Sequence, residues 1–364
     1  MRTVAVIGAG VVGASVAFRL AQASVRVVVV DREEPGHGTS GSSFAWVNSN
    51  QKTPRDYFEL NYAGLREHRE LRAELGVAPW LHDGGNLVWL ADEAELAARV
   101  ARLTEWNYAA EWWSAGQCAA SLEPRLRVPD SETRIAFFPD ECWVDGSLLA
   151  SSLIERARQL GAETQFGVPL QAVERTAGSV TAIDLGTHGR IPVDALVNAA
   201  GPGADKVAAM IGRTLPLAPT TGLLVRVAVA PAPVSRIVHT PRVNIRPDGA
   251  GYVLLHHESI DKQLGDRLHI DTIDPLAIDL LNRAKQVISG LDGAEIVDTR
   301  IGTRVEPRDG RSCVGAVSNI DGYYEVVTHS GVTLGPLLGR LLASEIVNNQ
   351  PDPMLAPFRA ERFS

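Results

Sequence analysis

Cysteine is scarce in this sequence, and no apolar run is long enough to span a membrane. Cys118, Cys142 and Cys313 are the three cysteines among 364 residues, and their wide spacing and odd number argue against a disulfide framework. This usage is typical of a reducing compartment, so a cytoplasmic location is expected. A membrane-spanning helix would need about 18 or more consecutive apolar residues, and the sequence has no such run.

Basic residues are in the minority as well. The 35 Lys and Arg are outnumbered by 43 Asp and Glu, which gives a net charge of -8. This balance argues against nucleic acid or an anionic membrane as the main partner, because both attract a basic face. The nine histidines show no metal-ligand spacing, and the Gly-x-Ser-x-Gly turn of many hydrolases is missing. A chain of this length suits about two domains, and no bound metal is expected.

The first 31 residues carry the clearest pattern. Residues 4–7 predict a buried strand, residues 8–23 a glycine turn and a helix, and residues 25–30 a second strand. The glycines of Gly8-Ala9-Gly10-Val11-Val12-Gly13 allow a tight bend, close approach of a pyrophosphate and packing of the helix on the sheet. Asp31 can accept the hydroxyls of an adenosine ribose. This order predicts a βαβ unit that binds the ADP half of a dinucleotide, with phosphates at the helix N-terminus.

Later parts of the chain alternate between helical and extended patterns. Helices are expected at residues 53–75, after a capping box formed by Asp92 and Glu95, from Ser147 to about residue 160, at 275–288 and near the end of the chain up to about 347. From about Gly222 the pattern predicts strands at 222–229, 243–246 and 251–257. These strands indicate an antiparallel sheet, unlike the first unit.

Four further segments accompany the N-terminal unit. They are Thr39-Ser40-Gly41-Ser42-Ser43, Asn198-Ala199-Ala200-Gly201, Gly302-Thr303-Arg304 followed by Asp309-Gly310 and Gly315, and Thr328-His329-Ser330-Gly331-Val332-Thr333-Leu334-Gly335. In this order the five segments resemble the D-amino-acid oxidase superfamily of FAD-dependent oxidoreductases, which includes glycine oxidase, sarcosine oxidase and the D-amino-acid dehydrogenases. The likeness covers nearly the whole chain. Val305 and Ser312 stand where the family usually has proline, so the Arg304 loop is expected to differ in shape.

The resemblance implies an α/β fold in which a Rossmann-like FAD-binding domain is interleaved with a substrate domain built mainly on an antiparallel sheet. The FAD-binding domain is expected to comprise residues 1–80, 141–215 and 298–364, and the substrate domain residues 81–140 and 216–297. The implied FAD contacts are Gly8, Gly10, Val11, Val12, Gly13, Asp31, Arg32, Thr39, Ser40, Ser42, Ser43, Val168, Ala199, Ala200, Gly201, Arg304, His329, Ser330, Gly331, Val332, Thr333 and Leu334. Cys313 does not match the cysteine that holds FAD covalently in some relatives, so noncovalent FAD is expected.

The resemblance also implies a reaction. In amino-acid-oxidising relatives an arginine at the position of Arg304 grips the substrate carboxylate, since its planar fork matches two oxygens. We expect a small carboxylated amine that gives a hydride to flavin N5, leaving an imine that water hydrolyses to an oxo acid or aldehyde. Tyr252 and His256 are the other catalytic candidates. The alternative for Arg304 is a structural ion pair with Asp309.

Two pairs of side chains near these segments are open to two interpretations. His256 and His257 point to opposite faces of one strand, so at most one of them faces the flavin, and each can instead be a surface or core histidine. Trp46 and Asn48 follow the serine loop and either flank the flavin or pack in the core.

The partners are less defined than the cofactor. A second acidic group on the substrate could meet Arg242 or Arg246, but solvated positions are expected for both. The electron acceptor is oxygen or a redox partner, and a homo-oligomer is compatible with the sequence. Alternatives to a self-contained amine oxidase are the flavin subunit of a hetero-oligomeric amino-acid dehydrogenase, an NAD-dependent dehydrogenase, and a flavin-binding protein without activity.

Overall fold

The computed structural model describes residues 2–128 and 130–363. Within them the strands are β1 (Thr3–Ile7), β2 (Arg26–Val30), β3 (Trp46–Val47), β4 (Leu81–His82), β5 (Asn86–Val88), β6 (Glu111–Ser114), β7 (Arg134–Phe138), β8 (Cys142–Val144), β9 (Glu163–Gln165), β10 (Ala172–Thr176), β11 (Ser179–Asp184), β12 (Arg190–Pro192), β13 (Ala195–Asn198), β14 (Thr220–Ala228), β15 (Ile237–His239), β16 (Asn244–Pro247), β17 (Tyr252–His256), β18 (Glu295–Arg304), β19 (Cys313–Ala316) and β20 (Tyr323–Val327). The helices are α1 (Val11–Gln22), α2 (Arg55–Leu75), α3 (Glu93–Glu105), α4 (Ala115–Ser121), α5 (Gly146–Gln159), α6 (Ala204–Ala209), α7 (Glu258–Asp261), α8 (Pro275–Val287) and α9 (Gly331–Asn348).

The first sheet has six strands in the order β19-β20-β13-β1-β2-β9. Its strands are parallel except that β19 runs antiparallel to β20. Consecutive side chains of β1 enter two different cores, because side chains alternate across a strand. Val4 and Val6 join the core that contains α1 and α9, whereas Ala5 and Ile7 join the core shared with β11 and α6. A strand that is apolar throughout is typical of a parallel sheet covered on both faces.

The second sheet has eight strands in the order β18-β14-β17-β16-β15-β5-β7-β6. β5 and β15 run parallel to each other, and the other neighbouring strands are antiparallel. On one face, Leu223 and Val225 of β14 share a core with Leu280 of α8. From the opposite face, Arg246 Nε donates to the carbonyl oxygen of Phe44 at 2.7 Å. This face of the sheet therefore contacts the segment directly after residues 39–43, one of the predicted cofactor segments.

The fold class expected from the sequence is confirmed, since a mainly parallel and a mainly antiparallel sheet are both present. The strand predicted at residues 195–198 coincides with β13. All strands of the six-stranded sheet lie in ranges assigned to the FAD-binding domain, but β18 crosses the expected boundary at residue 298, so the domain limits stay a prediction. No helix among the residues described is long and apolar enough to cross a membrane.

Three local predictions need correction. The sequence predicts a loop at residues 302–304, but they end β18, because they pair in register with residues 220–222 of β14. The capping box predicted at Asp92 is half formed: Asp92 caps α3, while Glu95 pairs with Arg99. The helix predicted to open at Ser147 is capped by Asp145, which accepts from the first turn of α5.

Helices α1 and α9 pack closely because glycines of α9 face α1. A Cβ on Gly335 would lie 2.5 Å from a methyl carbon of Val11, and one on Gly339 would lie 2.6 Å from Ser15. Real Cβ atoms do not approach other atoms so closely, so larger residues would force the two helices apart. The same contact brings the two helix N-termini together, since a Cβ on Gly331 would lie 3.6 Å from Val12.

Replacing Gly339 with Ala is therefore expected to lower the free energy of unfolding by about 1–3 kcal/mol, the usual cost of overpacking. Chemical denaturation followed by circular dichroism measures the change. Gly293→Ala is the matched control, because a Cβ at Gly293 meets nothing within 4 Å. Equal unfolding free energies for the two variants would contradict the close packing of α1 and α9.

Candidate active site

The glycine turn between β1 and α1 leaves no room for side chains. Gly8 has a φ of +107°, and a Cβ there would lie 2.3 Å from the carbonyl oxygen of Ala199. A Cβ on Gly13 would lie 1.9 Å from the carbonyl oxygen of Gly8. The turn therefore fits only glycine at both positions, and it seats the start of α1 beside the end of β13. Two of the predicted cofactor segments, 8–13 and 199–201, are thereby brought together.

Asp31 lies at the end of β2, and its carboxylate faces the glycine turn. Oδ2 accepts from the amide of Ala9 at 2.6 Å, and Oδ1 accepts from the amide of Glu33 at 3.0 Å. Each carboxylate oxygen offers more than one lone-pair site, so Asp31 can still accept a ribose hydroxyl. The amide of Val168 donates to the carbonyl oxygen of Asp31 at 3.1 Å, which places this predicted contact beside the acid. The predicted contact Arg32 is exposed to solvent.

The serine loop, residues 39–43, forms hydrogen bonds with both α1 and β18. Ser40 Oγ accepts from the amide of Val11 at 3.0 Å. On the other side of the loop, Thr39 Oγ1 donates to the carbonyl oxygen of Thr303 at 2.5 Å. A Cβ on Gly302 would lie 2.0 Å from the carbonyl oxygen of Ser42, so β18 touches the loop backbone directly. The loop thus links the nucleotide turn to the strand that ends at Arg304.

The N-terminus of α9 forms another wall of the site. Ser330 is the N-cap residue, and no side-chain cap satisfies the amides of the first turn within the part of the chain described. Ser330 Oγ lies 3.0 Å from Tyr57 Oη, and Thr333 Oγ1 donates to the carbonyl oxygen of Trp46 at 3.5 Å. Leu334 is fully buried in the core, so its predicted contact with a cofactor would involve the backbone alone. Free amides and the helix dipole favour negative charge at this end.

Basic groups converge near this helix start. His329 is in contact with solvent, but most of its ring is surrounded by protein. This burial lowers the pKa of His329 to about 4, and the nearby positive charges of Lys52 and Arg304 lower the pKa further. The ammonium of Lys52 lies 5.8 Å from the centroid of the Tyr57 ring. Burial lowers the pKa of Lys52 as well, against the opposing charge of Glu306. The sequence does not single out Lys52, because a lone lysine in a loop carries no motif.

Arg304 does form an ion pair, but the partner expected from the sequence is wrong. Its Nη2 meets Oδ2 of Asp261, and it donates to the carbonyl oxygen of Thr221 at 3.1 Å. Asp309 pairs instead with Arg362. The side chain of Arg304 is 30% exposed.

His256 and His257, at the end of β17, contact different partners, as expected for neighbouring residues on opposite faces of a strand. His256 Nε2 lies 2.9 Å from Asp261 Oδ2, so His256 shares a partner with Arg304. His257 caps α7 by accepting from the amide of Ser259. Tyr252 begins β17, about 13 Å from His256 at the usual rise of a strand. There the guanidinium of Arg226 lies 3.7 Å from the Tyr252 ring centroid, so the structure does not bring Tyr252 to Arg304.

The prediction that Arg246 is solvated is wrong. Arg246 is 4% exposed, its Nη1 donates to Asp248 Oδ1 at 2.8 Å, and its guanidinium lies 4.2 Å from the Trp143 ring centroid. Burial lowers its pKa from the ordinary value, against the charge of Asp248. Arg242 is exposed, as expected. Periodicity cannot distinguish these two arginines, because the partners of Arg246 come from other segments.

Glu141 is a buried carboxyl group that no sequence pattern indicates. Its four hydrogen-bond donors are neutral: at 2.7–2.8 Å it accepts from Trp46 Nε1, Asn50 Nδ2, Asn86 Nδ2 and Tyr108 Oη. Burial raises its pKa to about 7, although these hydrogen bonds oppose the shift. The Trp46 ring also lies 4.1 Å from the His239 ring, while Asn48 donates to the carbonyl oxygen of Trp46. Trp46 therefore belongs to a polar network beside β5 and β15 of the eight-stranded sheet.

Neither a disulfide nor a metal cluster is found in residues 2–128 and 130–363. Cys118, Cys142 and Cys313 are all free and buried. No group of three or more His, Cys, Asp or Glu side chains is placed to hold a metal ion in these ranges. The site instead fits a long dinucleotide: a glycine turn without room for a Cβ, an acid for ribose, and two adjacent helix starts for phosphate and for a second anionic end.

Comparison with known proteins agrees with this geometry. The sequence pattern of the family described as FAD dependent oxidoreductase matches residues 3–345. Glycine oxidase of Geobacillus kaustophilus is 26% identical over 372 residues, which cover 99% of this chain and 96% of the relative. Its crystal structure superposes with a TM-score of 0.84 at 23% identity, over 99% of this chain and 98% of that chain.

Two further proteins are similar over nearly their whole length. One of the subunits of opine oxidase from Agrobacterium tumefaciens is 24% identical over 368 residues, covering 98% of this chain and 96% of the relative. Iminodiacetate oxidase of Chelativorans sp. BNC1 superposes with a TM-score of 0.84 at 24% identity, over 98% of each chain. At this identity the structural likeness shows the fold alone.

The raised pKa of Glu141 predicts how stability depends on pH. The folded state favours the protonated form, so this stabilisation is fully present below the ordinary pKa of 4.5 and is lost as the pH rises to about 7. We expect the unfolding free energy of the wild type, minus that of Glu141→Gln, to fall between pH 4.5 and 7 and to stay level above. Denaturant titrations at a series of pH values measure this difference. A difference that does not change with pH would contradict the assignment.

Proposed function

Because the chain belongs to the family of FAD-dependent oxidoreductases, we propose that it oxidises the C–N bond of a small amine that carries a carboxylate. The observation that carries this proposal is the position of Arg304. It ends β18, two residues after Gly302 touches the serine loop, and its side chain is 30% exposed. A planar cation at this point suits a carboxylate held beside the cofactor.

The residues that would hold FAD follow from the geometry described. The start of α1 and the serine loop would bind the pyrophosphate, and Asp31 would accept the adenosine ribose hydroxyls. The start of α9 would face the ring, where its dipole favours the negative charge that reduction brings. Cys313 is fully buried in β19, which supports noncovalent binding.

Bound FAD supplies a ring that accepts a hydride from the carbon next to the amine nitrogen. The protein would contribute position: Arg304 would hold the carboxylate and so orient the amine toward the ring, and no protein base is needed if the amine enters neutral. The imine product then hydrolyses in water to an oxo acid or aldehyde. Glycine oxidase and iminodiacetate oxidase, both similar to this chain, are named for carboxylated amines of this kind.

A second candidate is the flavin subunit of a larger complex that passes electrons to a partner protein. It is favoured by the likeness to the opine oxidase chain, whose name marks it as part of an assembly. Co-purification of a stoichiometric second chain from the native host, with reduction of a dye but not of oxygen, would support it. An NAD-dependent dehydrogenase is disfavoured, because the family pattern covers the α9 start as well as the glycine turn.

Anaerobic mixing of the purified yellow protein with a panel of carboxylated amines tests the proposal. At least one of glycine, sarcosine, iminodiacetate, proline and the common D-amino acids should bleach the flavin absorbance near about 450 nm. The matching amines without a carboxylate should act far more slowly. A panel in which no carboxylated amine bleaches the flavin would rule out the assignment.

Removing the guanidinium gives a sharper test of the carboxylate anchor. Arg304→Ala should raise the dissociation constant of the active amine roughly 10- to 100-fold, the effect of losing a charged hydrogen-bond pair. Rapid-mixing measurements of flavin reduction against amine concentration give this constant. Arg308→Ala is the control, since Arg308 is exposed on the turn after β18. Unchanged affinity in Arg304→Ala would remove Arg304 from the site.

A further inference from the structure

Asp261, the last residue of α7, connects Arg304 to two other strands of the eight-stranded sheet. Its Oδ2 meets Nη2 of Arg304 and lies 2.9 Å from His256 Nε2. Its Oδ1 accepts from the backbone amide of Leu223 at 2.9 Å. Both oxygens are therefore occupied by donors on three different strands, β14, β17 and β18.

The carboxylate of Asp261 is built into the sheet and stays ionised. Its side chain is 10% exposed. Burial alone would raise its pKa, but the hydrogen bonds from His256 and Leu223 and the charge of Arg304 outweigh burial and hold the pKa below its usual value. At neutral pH it is thus a fixed negative charge against one tip of Arg304.

Gly222 provides the space for this arrangement. A Cβ on Gly222 would lie 1.9 Å from Arg304 Nη2 and 3.0 Å from Asp261 Oδ2. The guanidinium tip therefore lies directly on the β14 backbone, where it also donates to Thr221. Nε and Nη1 have no protein acceptor within the residues described. Nη1 forms the other tip of the guanidinium, and its N–H groups can donate charge-assisted hydrogen bonds to a carboxylate.

We propose that Asp261 is a positioning residue that holds the Nη2 tip of Arg304 on β14, so that the opposite tip, Nη1, faces the substrate carboxylate. This inference rests on the proposed function. Asp261 also balances part of the charge of Arg304. The structure gives His256 a supporting role, since its Nε2 is engaged with Asp261 and its Nδ1 lies 3.4 Å from Asn244 Nδ2.

Two substitutions disturb the same guanidinium tip in different ways. Asp261→Ala removes its acceptor, and Gly222→Ala pushes it off β14 while the chain keeps the Asp261 carboxylate. Asp271→Asn is the matched control: Asp271 also pairs with a histidine, His269, but both side chains are about 80% exposed and solvated. The FAD content of every variant is measured first, so that loss of the cofactor is not taken for loss of the anchor.

The probe is acetate, titrated into the holoenzyme and followed by the flavin spectrum, with acetamide as its uncharged counterpart. We expect the acetate dissociation constant to rise about tenfold or more in Asp261→Ala and Gly222→Ala, with acetamide unaffected and Asp271→Asn like the wild type. For the active amine, the concentration for half-maximal flavin reduction should rise by a similar factor. The limiting reduction rate should change less than about twofold, because Asp261 does not touch the reacting carbon.

The outcomes separate the inference from the proposed function. Wild-type affinity for acetate and amine in both variants would overturn the positioning role while leaving the proposed function intact. A fall in the limiting rate at unchanged affinity would also overturn it. If Asp261→Ala does not fold, Gly222→Ala decides alone. A wild type that neither binds acetate nor is bleached by any carboxylated amine contradicts the proposed function itself.

Discussion

The close crossing of α1 and α9 is the constraint on which the site depends. Gly335 and Gly339 lie against Val11 and Ser15 without room for a Cβ, so the two helices start side by side. Each start offers unpaired amides and the positive end of a helix dipole, and together they suit a ligand with anionic groups at two separated points. A nucleotide with a single phosphate group would use one of these starts, whereas a flavin dinucleotide can use both.

A series of close backbone contacts extends this constraint to the substrate side. The serine loop is fixed to α1 through Ser40, and Gly302 of β18 lies against the loop backbone at Ser42. Two residues later β18 ends at Arg304, whose tip rests on β14 at Gly222. The position of Arg304 relative to the start of α1 is therefore set by glycine contacts and by Asp261, not by flexible side chains alone. Such rigid support is what positioning catalysis requires.

The sequence predicts those features of the fold that depend on the local order of residues and on the spacing of glycines and apolar residues. The β1–turn–α1 unit, the strand at 195–198 and the family are all readable, because glycine spacing and apolar runs report local geometry. The partners of buried charges are not readable. Sequence proximity suggests Asp309 for Arg304, five residues away, but Arg304 pairs with Asp261, 43 residues earlier in the chain. Arg246 and Glu141 are buried by residues distant in the chain, among them Phe44 for Arg246 and Trp46 for Glu141, and no periodicity within their own strands or turns reports that.

The most direct test of the account is a crystal structure of the protein with FAD and acetate. The account predicts the pyrophosphate at the start of α1, the flavin ring with one end at the start of α9, and acetate hydrogen-bonded to Nη1 of Arg304. Asp261 would keep its contact with Nη2. An FAD ring turned away from α9, or acetate bound elsewhere with Arg304 free of it, would contradict the central claim.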